Sequence, residues 1–337
     1  MKVLVSDIAK KAGVSSGTVS NALNNRKGIS EEKREDILKI AREMGYFKKT
    51  TKENKVLRFV ILNRSAHVVG DTPFFSELIR GIETESSAQG FELLISHMTI
   101  EERHNVTVED VLKQDLVDGI ILLGTEMDVK DLAAFEHMIV PMVIVDTVFR
   151  SQDYDFVAIN NIDGTYEIVS QLIQKGHQAI GIINSAYQIN NFKERKHGYE
   201  QALIDHQLPV YPQYEALVEP SLDGAYTDMK AYLEDMLREG VELPTAYYAV
   251  NDNIALGAMK AFKDLKQDIS IVGFDDLPLS GYCDPPLTTV SVDKINLGRR
   301  AVRRLVEKIN EEDDHKLQIL VGTKIVLRES VREYTKG

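Results

Sequence analysis

A single cysteine, Cys283, leaves this 337-residue chain without a partner for an intrachain disulfide, and it excludes a cysteine-rich zinc site. No apolar run approaches the ~20 residues a membrane-spanning helix needs. The first ten residues are polar and charged, unlike a signal peptide, so a cytoplasmic protein is expected. The phosphate-cradling strings G-x-x-x-x-G-K-[ST] and, after a strand, G-x-G-x-x-G are missing. The eight histidines show neither H-x-x-x-H nor H-E-x-x-H metal spacing. Lys175, Gly176 and His177 fall at a helix-to-strand turn with no nucleophile beside them, so His177 reads as a turn or capping residue and not a base. No metal, cofactor or catalytic residue is expected. The alternative is an enzyme acting on a small sugar-like or nucleoside substrate, since fold does not fix function.

A net charge of -12 argues against a polyanionic partner until its distribution is read. Residues 1–58 hold fourteen Lys and Arg against seven Asp and Glu, so the acidic excess lies entirely beyond them. A small basic head on a large acidic body points to nucleic acid at the head alone. The head also holds "DIAKKAGVSSGTVSNALNN" (7–25), where Gly13, Ser15 and Gly17 spell the G-x-S-x-G of a hydrolase nucleophile elbow. An elbow needs a strand before its serine. Here Ile8, Ala9 and Ala12 recur at helical spacing, with Ser6 or Asp7 available as cap and Gly13 as stop. Ser15 then caps a second helix whose Val19, Ala22 and Leu23 form one apolar stripe. A third helix follows, capped by Ser30, with Ile37, Ile40, Ala41 and Met44 facing the core. Two short helices joined through a glycine turn make a helix-turn-helix, whose second helix enters the major groove. Its outward candidates are Ser16, Gly17, Thr18, Ser20 and Asn21. Hydroxyls and helix-terminal amides suit phosphates, and Asn can pair bidentately with adenine.

After residue 55 apolar strands alternate with amphipathic helices. Strands are read at 56–63, 91–98, 118–124, 141–146, 156–160, 178–184, 214–219, 245–250, 269–274 and 287–292. Helices are read near 75–89, 162–175, 193–206, 225–238, 252–265 and 294–310. The alternation implies parallel sheets covered by helices, and the count implies two α/β halves. Ligands of such folds sit beyond the carboxyl ends of the strands, here in the cleft between the halves.

The strings "DIAKKAGVSSGTVSNALN" and "ISEEKREDILKIAREMGY" resemble the DNA-binding head of the LacI/GalR family of bacterial transcription regulators. The likeness continues through "TPFFSELIRGIE", "VDGIILL", "LIQKGHQAIGII", "RKHGYEQAL", "PTAYYAVND", "ALGAMKAF", "DISIVGFDD" and "PPLTTV". It implies an all-α helix-turn-helix domain at 1–46, a linker at 47–55, and a periplasmic-binding-protein-like body at 56–337. The body's two doubly wound parallel-sheet subdomains are expected at about 56–160 with 293–319, and about 161–292 with 320–333, with crossovers near 160, 292 and 320. The resemblance also implies a homodimeric repressor with two partners, a double-stranded DNA operator and a small effector. The effector is a carbohydrate or polyol, with a nucleoside as the next candidate. DNA contacts are expected from Ser15, Ser16, Gly17, Thr18, Ser20, Asn21, Asn24, Ser30, Lys48 and Lys49. Effector contacts are expected from Phe74, Phe75, Asp146, Arg195, Asn251, Asp252 and Asp275. Strand-end carboxylates can accept from sugar hydroxyls, and the Arg fork can donate to two vicinal oxygens. Asp252 has a second reading, as a helix cap, and Phe74 and Phe75 a second, as core. Arg195→Ala is expected to weaken effector binding about tenfold or more and to leave the fold intact, as a cleft side chain that supports little packing.

Three departures from the family stand out. Position 21 is Asn where the family very often has Arg. Positions 16 and 17 are small. The linker "FKKTTKENKVLR" (47–58) has no Ala-Arg-x-Leu, the string that in the family forms a hinge helix on DNA and wedges a Leu into the minor groove. No leucine heptads follow the body, so a dimer joined through the body is expected and not a coiled-coil tetramer.

Overall fold

The computed structural model describes residues 3–23, 28–44, 46, 55–64, 68, 73–99, 117–136, 138, 140–311 and 315–335. The chain divides into a head, Met1–Lys55, and a body, Val56–Gly337.

The head is three helices: α1 (Val5–Ala12), α2 (Ser16–Leu23) and α3 (Glu31–Glu43). The cap of α1 differs from expectation. Leu4 stands at the cap position, and Asp7 in the first turn accepts the Leu4 N–H at 2.8 Å. Gly13 then turns the chain with φ of 66°, a left-handed conformation that glycine adopts at no steric cost. The Ser15 hydroxyl accepts the Thr18 N–H at 3.0 Å and so caps α2, which is a structural role and not that of a nucleophile. Ile8, Val19, Ala22, Ile37 and Ala41 bury the shared apolar face of all three helices.

The body is built on two six-stranded sheets. The first uses β1 (Lys55–Asn63), β2 (Phe91–Thr99), β3 (Gly119–Leu123), β4 (Met142–Val145), β5 (Asp155–Ile159) and a late strand, β11 (Gln318–Val321), in the order β11-β5-β4-β3-β1-β2. The second uses β6 (Ile180–Ser185), β7 (Glu215–Val218), β8 (Ala246–Ala249), β9 (Ser270–Asp275), β10 (Thr288–Val292) and β12 (Thr323–Val326), in the order β12-β10-β9-β8-β6-β7. Only β12 is shown running against its neighbour. The chain therefore passes between the sheets after β5, after β10 and after β11. Continuous apolar runs explain the parallel strands: Leu57 to Leu62 are buried on both faces of β1, as a sheet covered by helices requires.

Among the described residues six α-helices cover the sheets: α4 (Pro73–Ala88), α5 (Asn161–Gln174), α6 (Asn190–Asp205), α7 (Leu222–Arg238), α8 (Asp252–Asp264) and α9 (Lys294–Glu311), with a 3-10 segment at Val129–Phe135. α4 and α9 cross at two glycines. A Cβ on Gly81 would stand 2.2 Å from the Ile295 carbonyl oxygen, and one on Gly298 would stand 2.5 Å from that of Leu78. This crossing ties α9, which follows the second passage, onto the first sheet. Among the described residues no helix is long and apolar enough to cross a membrane.

His177 holds the turn before β6. Its ring bonds the Thr245 hydroxyl at 2.9 Å and the Arg332 carbonyl at 3.1 Å, and it stacks on Tyr334. Burial holds its pKa below the usual value. β11 was not expected from the sequence: as an edge strand with Leu320 half exposed, it lacks the apolar run that marks its neighbours.

Candidate functional site

The carboxyl ends of strands from both sheets meet at one cavity in the body. Thr125 follows β3, Asp146 follows β4, Pro220 and Ser221 follow β7, Asn251 and Asn253 follow β8, and Asp275 ends β9. Ile189, Asn191, Phe192 and Arg195 reach it from α6 and its approach, and Phe74 and Phe75 from the start of α4. The space is about 150 Å³, comparable with interior cavities that accept one benzene-sized ring.

Two carboxylates define its polar wall, and both sit on left-handed backbone, φ of 68° at Asp146 and 108° at Asp275. Such conformations cost of order 1–3 kcal/mol in a non-glycine residue and cluster at binding sites. Asp146 is buried. Its Oδ2 accepts the Thr125 hydroxyl at 2.6 Å, while Oδ1 lacks a well-formed hydrogen bond and has the Asn191 side chain beside it. Burial pushes its pKa up to about 7, against the pull of Thr125 and Arg195. Asp275 is raised by burial too, with Arg195 and Lys294 opposing.

Arg195 faces the cavity but is only 3% exposed. Its Nε donates to Asn161 Oδ1 at 2.8 Å, Nη1 to the Val250 carbonyl at 2.7 Å, and Nη2 to Asp275 Oδ1 at 3.2 Å. Its guanidinium lies 3.8 Å from the Phe274 ring centre. The expectation that this side chain supports little packing is therefore corrected: it clips α5, β8 and β9 together. Phe74 and Phe75 meet edge to face at 5.0 Å. Phe74 belongs to the core and to the cavity wall at once.

In the head, the first turn of α2 is open. Ser15, Ser16 and Gly17 are exposed, and Thr18, Ser20 and Asn21 are partly so. The Ser15 and Thr18 hydroxyls lie 2.8 Å apart. Ser30 is exposed ahead of α3. Asn24, Lys48 and Lys49, with the rest of linker residues 47–54, lie outside the described residues.

Comparison with known proteins agrees with both parts. Residues 5–48 match the model of the lacI family of bacterial regulatory proteins, and 169–331 match a periplasmic binding protein-like domain. The transcriptional repressor CytR of Escherichia coli K12 is 30% identical over 336 residues, covering 97% of this chain and 95% of that protein. The chain belongs to the lacI family. The repressor PurR of Haemophilus influenzae PittEE is 29% identical over 343 residues, covering 97% and 98%. The lac repressor dimer bound to operator and the anti-inducer ONPF superposes with a TM-score of 0.71 at 25% identity, covering 98% and 100%. These relatives are repressors, which closes the enzymatic reading.

Of the expected effector residues in this lacI-family regulator, Phe74, Phe75, Asp146, Arg195, Asn251 and Asp275 come together at the cavity. Asp252 does not. It is fully buried, where its carboxylate accepts the Leu277 N–H at 2.8 Å and the Ser280 and Thr289 hydroxyls at 2.6 and 2.5 Å. It pins the segment after β9, which is a different role from ligand contact or simple capping; Asn251 is the cap of α8, accepting the Ile254 N–H at 2.9 Å. Sequence reasoning missed Thr125, Asn191, Phe192, Ser221 and Asn253. Asn191 carried a signal, since it precedes Arg195 by four residues on one helix face.

Burial pushes the Asp252 pKa up to about 7, with the Asp275 charge adding to it. The folded value lies above the unfolded one near 3.8, so the native state holds a proton that the unfolded chain releases. That contribution is complete below about pH 4 and is lost as pH rises through about 7. Asp252→Asn keeps two acceptor lone pairs for Leu277 and Ser280 and turns its amide to Thr289. The variant should gain stability relative to the parent between pH 5.5 and 8. Urea midpoints at both pH values check this, and an unchanged pH slope would show that Asp252 stays ionised in the fold.

Proposed function

We propose that this regulator is a cytoplasmic repressor that holds its operator as a homodimer and responds to one small polyhydroxy ligand, a sugar or related polyol, in the body's cavity. The observation that carries this is Asp146. A buried carboxylate with one oxygen lacking a well-formed hydrogen bond, held on strained backbone at a strand end, has a use when a ligand hydroxyl donates to it. Asn251 and Asn253 and the aromatic faces of Phe74 and Phe75 suit the alternating polar and apolar surfaces of a sugar ring. The size favours a single ring.

The test is a thermal-shift screen of the full chain with D-ribose, D-glucose, cellobiose, adenosine and cytidine, followed by operator gel shifts with each hit. A ligand bound only by the native state at a hundred times its Kd adds about 2.7 kcal/mol of stability. A sugar hit that changes operator affinity is the expected result. A nucleoside hit without a sugar hit turns the reading to the nucleoside.

In the head, the small residues at the start of α2 leave base choice to Asn21, with Ser15, Ser16, Thr18, Ser20 and Ser30 on phosphates. Asn21→Ala should cost about 1–3 kcal/mol at one A·T pair and relax selection there. Selection of binding sites from random duplexes reads this directly; an unaltered consensus removes Asn21 from base readout. For assembly, exposed Leu94 and Ile95 on edge strand β2 and Leu217 on edge strand β7 supply apolar surface at the corresponding edges of the two sheets. Light scattering should give twice the 37.9 kDa chain mass.

A further inference from the structure

We propose that the cavity admits only ligands without an anionic group, and that Asp146 is the residue that enforces this. The inference rests on the effector reading above and adds a charge rule to it. Among the described residues, the cations at the cavity, Arg195 and Lys294, already face carboxylates. Arg195 gives one N–H from each of Nε, Nη1 and Nη2 to Asn161, Val250 and Asp275, and its charge is paired with the Asp275 carboxylate. Lys294 Nζ stands 2.5 Å from the Asp275 carbonyl oxygen, 3.5 Å from that of Asp276 and 3.8 Å from the Glu77 carboxylate. A phosphate or carboxylate entering the cavity would compete with the Asp275 carboxylate for the Arg195 charge and would stand beside Asp146.

Helix N-termini are the other common anion receptors, and two open toward this space. Each already carries a side-chain cap and a first-turn carboxylate. The Ser221 hydroxyl accepts the Gly224 N–H at 3.1 Å at the start of α7, and Asn251 accepts that of Ile254 at the start of α8. Asp223 and Asp252 sit in the first turns and offset the positive helix ends. The buried acceptor without a well-formed hydrogen bond, with the Asn191 side chain beside it, is Asp146 Oδ1. It attracts a hydroxyl donor and repels an anion. Burial lifts the Asp146 pKa to about 7, with Thr125, Arg195 and Asp275 facing the carboxylate, so the test is run at pH 8, where the group is ionised.

The full chain is titrated by calorimetry and thermal shift with matched pairs: D-ribose and its 5-phosphate, D-glucose and its 6-phosphate, adenosine and its 5′-monophosphate. Inorganic phosphate is compared with sodium chloride at equal ionic strength. The expected result is that each phosphate ester binds at least tenfold more weakly than its uncharged parent, and that Asp146→Asn narrows this gap. Inorganic phosphate should give no saturable stabilisation that Asn253→Tyr, which adds bulk at the cavity wall, abolishes. A phosphate ester that binds as tightly as its parent, or cavity-dependent stabilisation by phosphate, overturns the charge rule. Adenosine binding without any sugar would end the polyhydroxy reading while the charge rule stands. If no uncharged parent binds, the charge rule falls together with the effector reading, whereas a parent that binds no better than its phosphate ester overturns the charge rule alone.

Discussion

Arg195→Ala is expected to lower the folding stability of the regulator by about 3–5 kcal/mol, the range for breaking a buried ion pair from one side. The side chain is 3% exposed and its three bonds reach residues 34, 55 and 80 positions away in the chain. Alanine leaves the Asp275 carboxylate buried without its guanidinium. It also orphans Asn161 Oδ1 and the Val250 carbonyl, and it removes the contact over Phe274. Asp275 keeps its left-handed backbone only while its surroundings hold it there. Urea denaturation should show a lower midpoint at nearly constant m, the mark of lost stability without a changed denatured state. Arg195→Lys keeps the charge, loses the planar fork, and should fall between parent and alanine. A loss under about 1 kcal/mol in the alanine variant would show that the other contacts suffice and that Arg195 serves the ligand alone. Effector affinity is then best compared in the lysine variant, because a weakened alanine variant confounds binding with unfolding.

The sheets were legible because their strands are buried on both faces. "VLRFVILN" and "DGIILLG" announce themselves as apolar runs. The head was legible because caps are local: Ser15 and Thr18 are three residues apart, as are Leu4 and Asp7. Edge strand β11 was not, because one face of "QILV" meets solvent and its pairing partner β5 lies some 160 residues earlier. The cavity was half legible. Strand-end Asp146 and Asp275 can be read as pocket residues, but nothing in "VND" tells Asn251, on the wall, from Asp252, tied to Ser280 and Thr289 beneath it. Those partners are brought close only by the second sheet. Arg195 showed the same limit, since a sequence gives the donor and not its acceptors.

The operator should be only weakly bent in its complex. In the family the hinge string Ala-Arg-x-Leu supplies a leucine that wedges into the minor groove, and such wedges pay for unstacking with a wider wrapped surface. This linker has no apolar residue between Lys48 and Lys55. The nearest candidate, Leu57, is fully buried in β1 and pairs with Gly119 of β3, so it is part of the body's first sheet and unavailable to a groove. Val56 is fixed as well, its N–H donated to the Asp118 carboxylate at 2.7 Å. Without a wedge the complex avoids a kinking cost of a few kcal/mol, by elastic estimates of about 1–6, and forgoes the sequence selection that bending provides. Lys48, Lys49, Lys52 and Lys55 offer a basic tether in its place. Affinity then leans on phosphates, and log K should fall with log salt at about -0.9 per neutralised phosphate. Replacing Lys48 and Lys49 together by glutamine should flatten that slope by about 2 while leaving the preferred sequence unchanged, because phosphate contacts position and do not specify. Circular-permutation gel shifts read the bend and filter binding across a salt series reads the slope. A sharp central kink would mean that a residue of the head or linker other than Leu57 enters the minor groove.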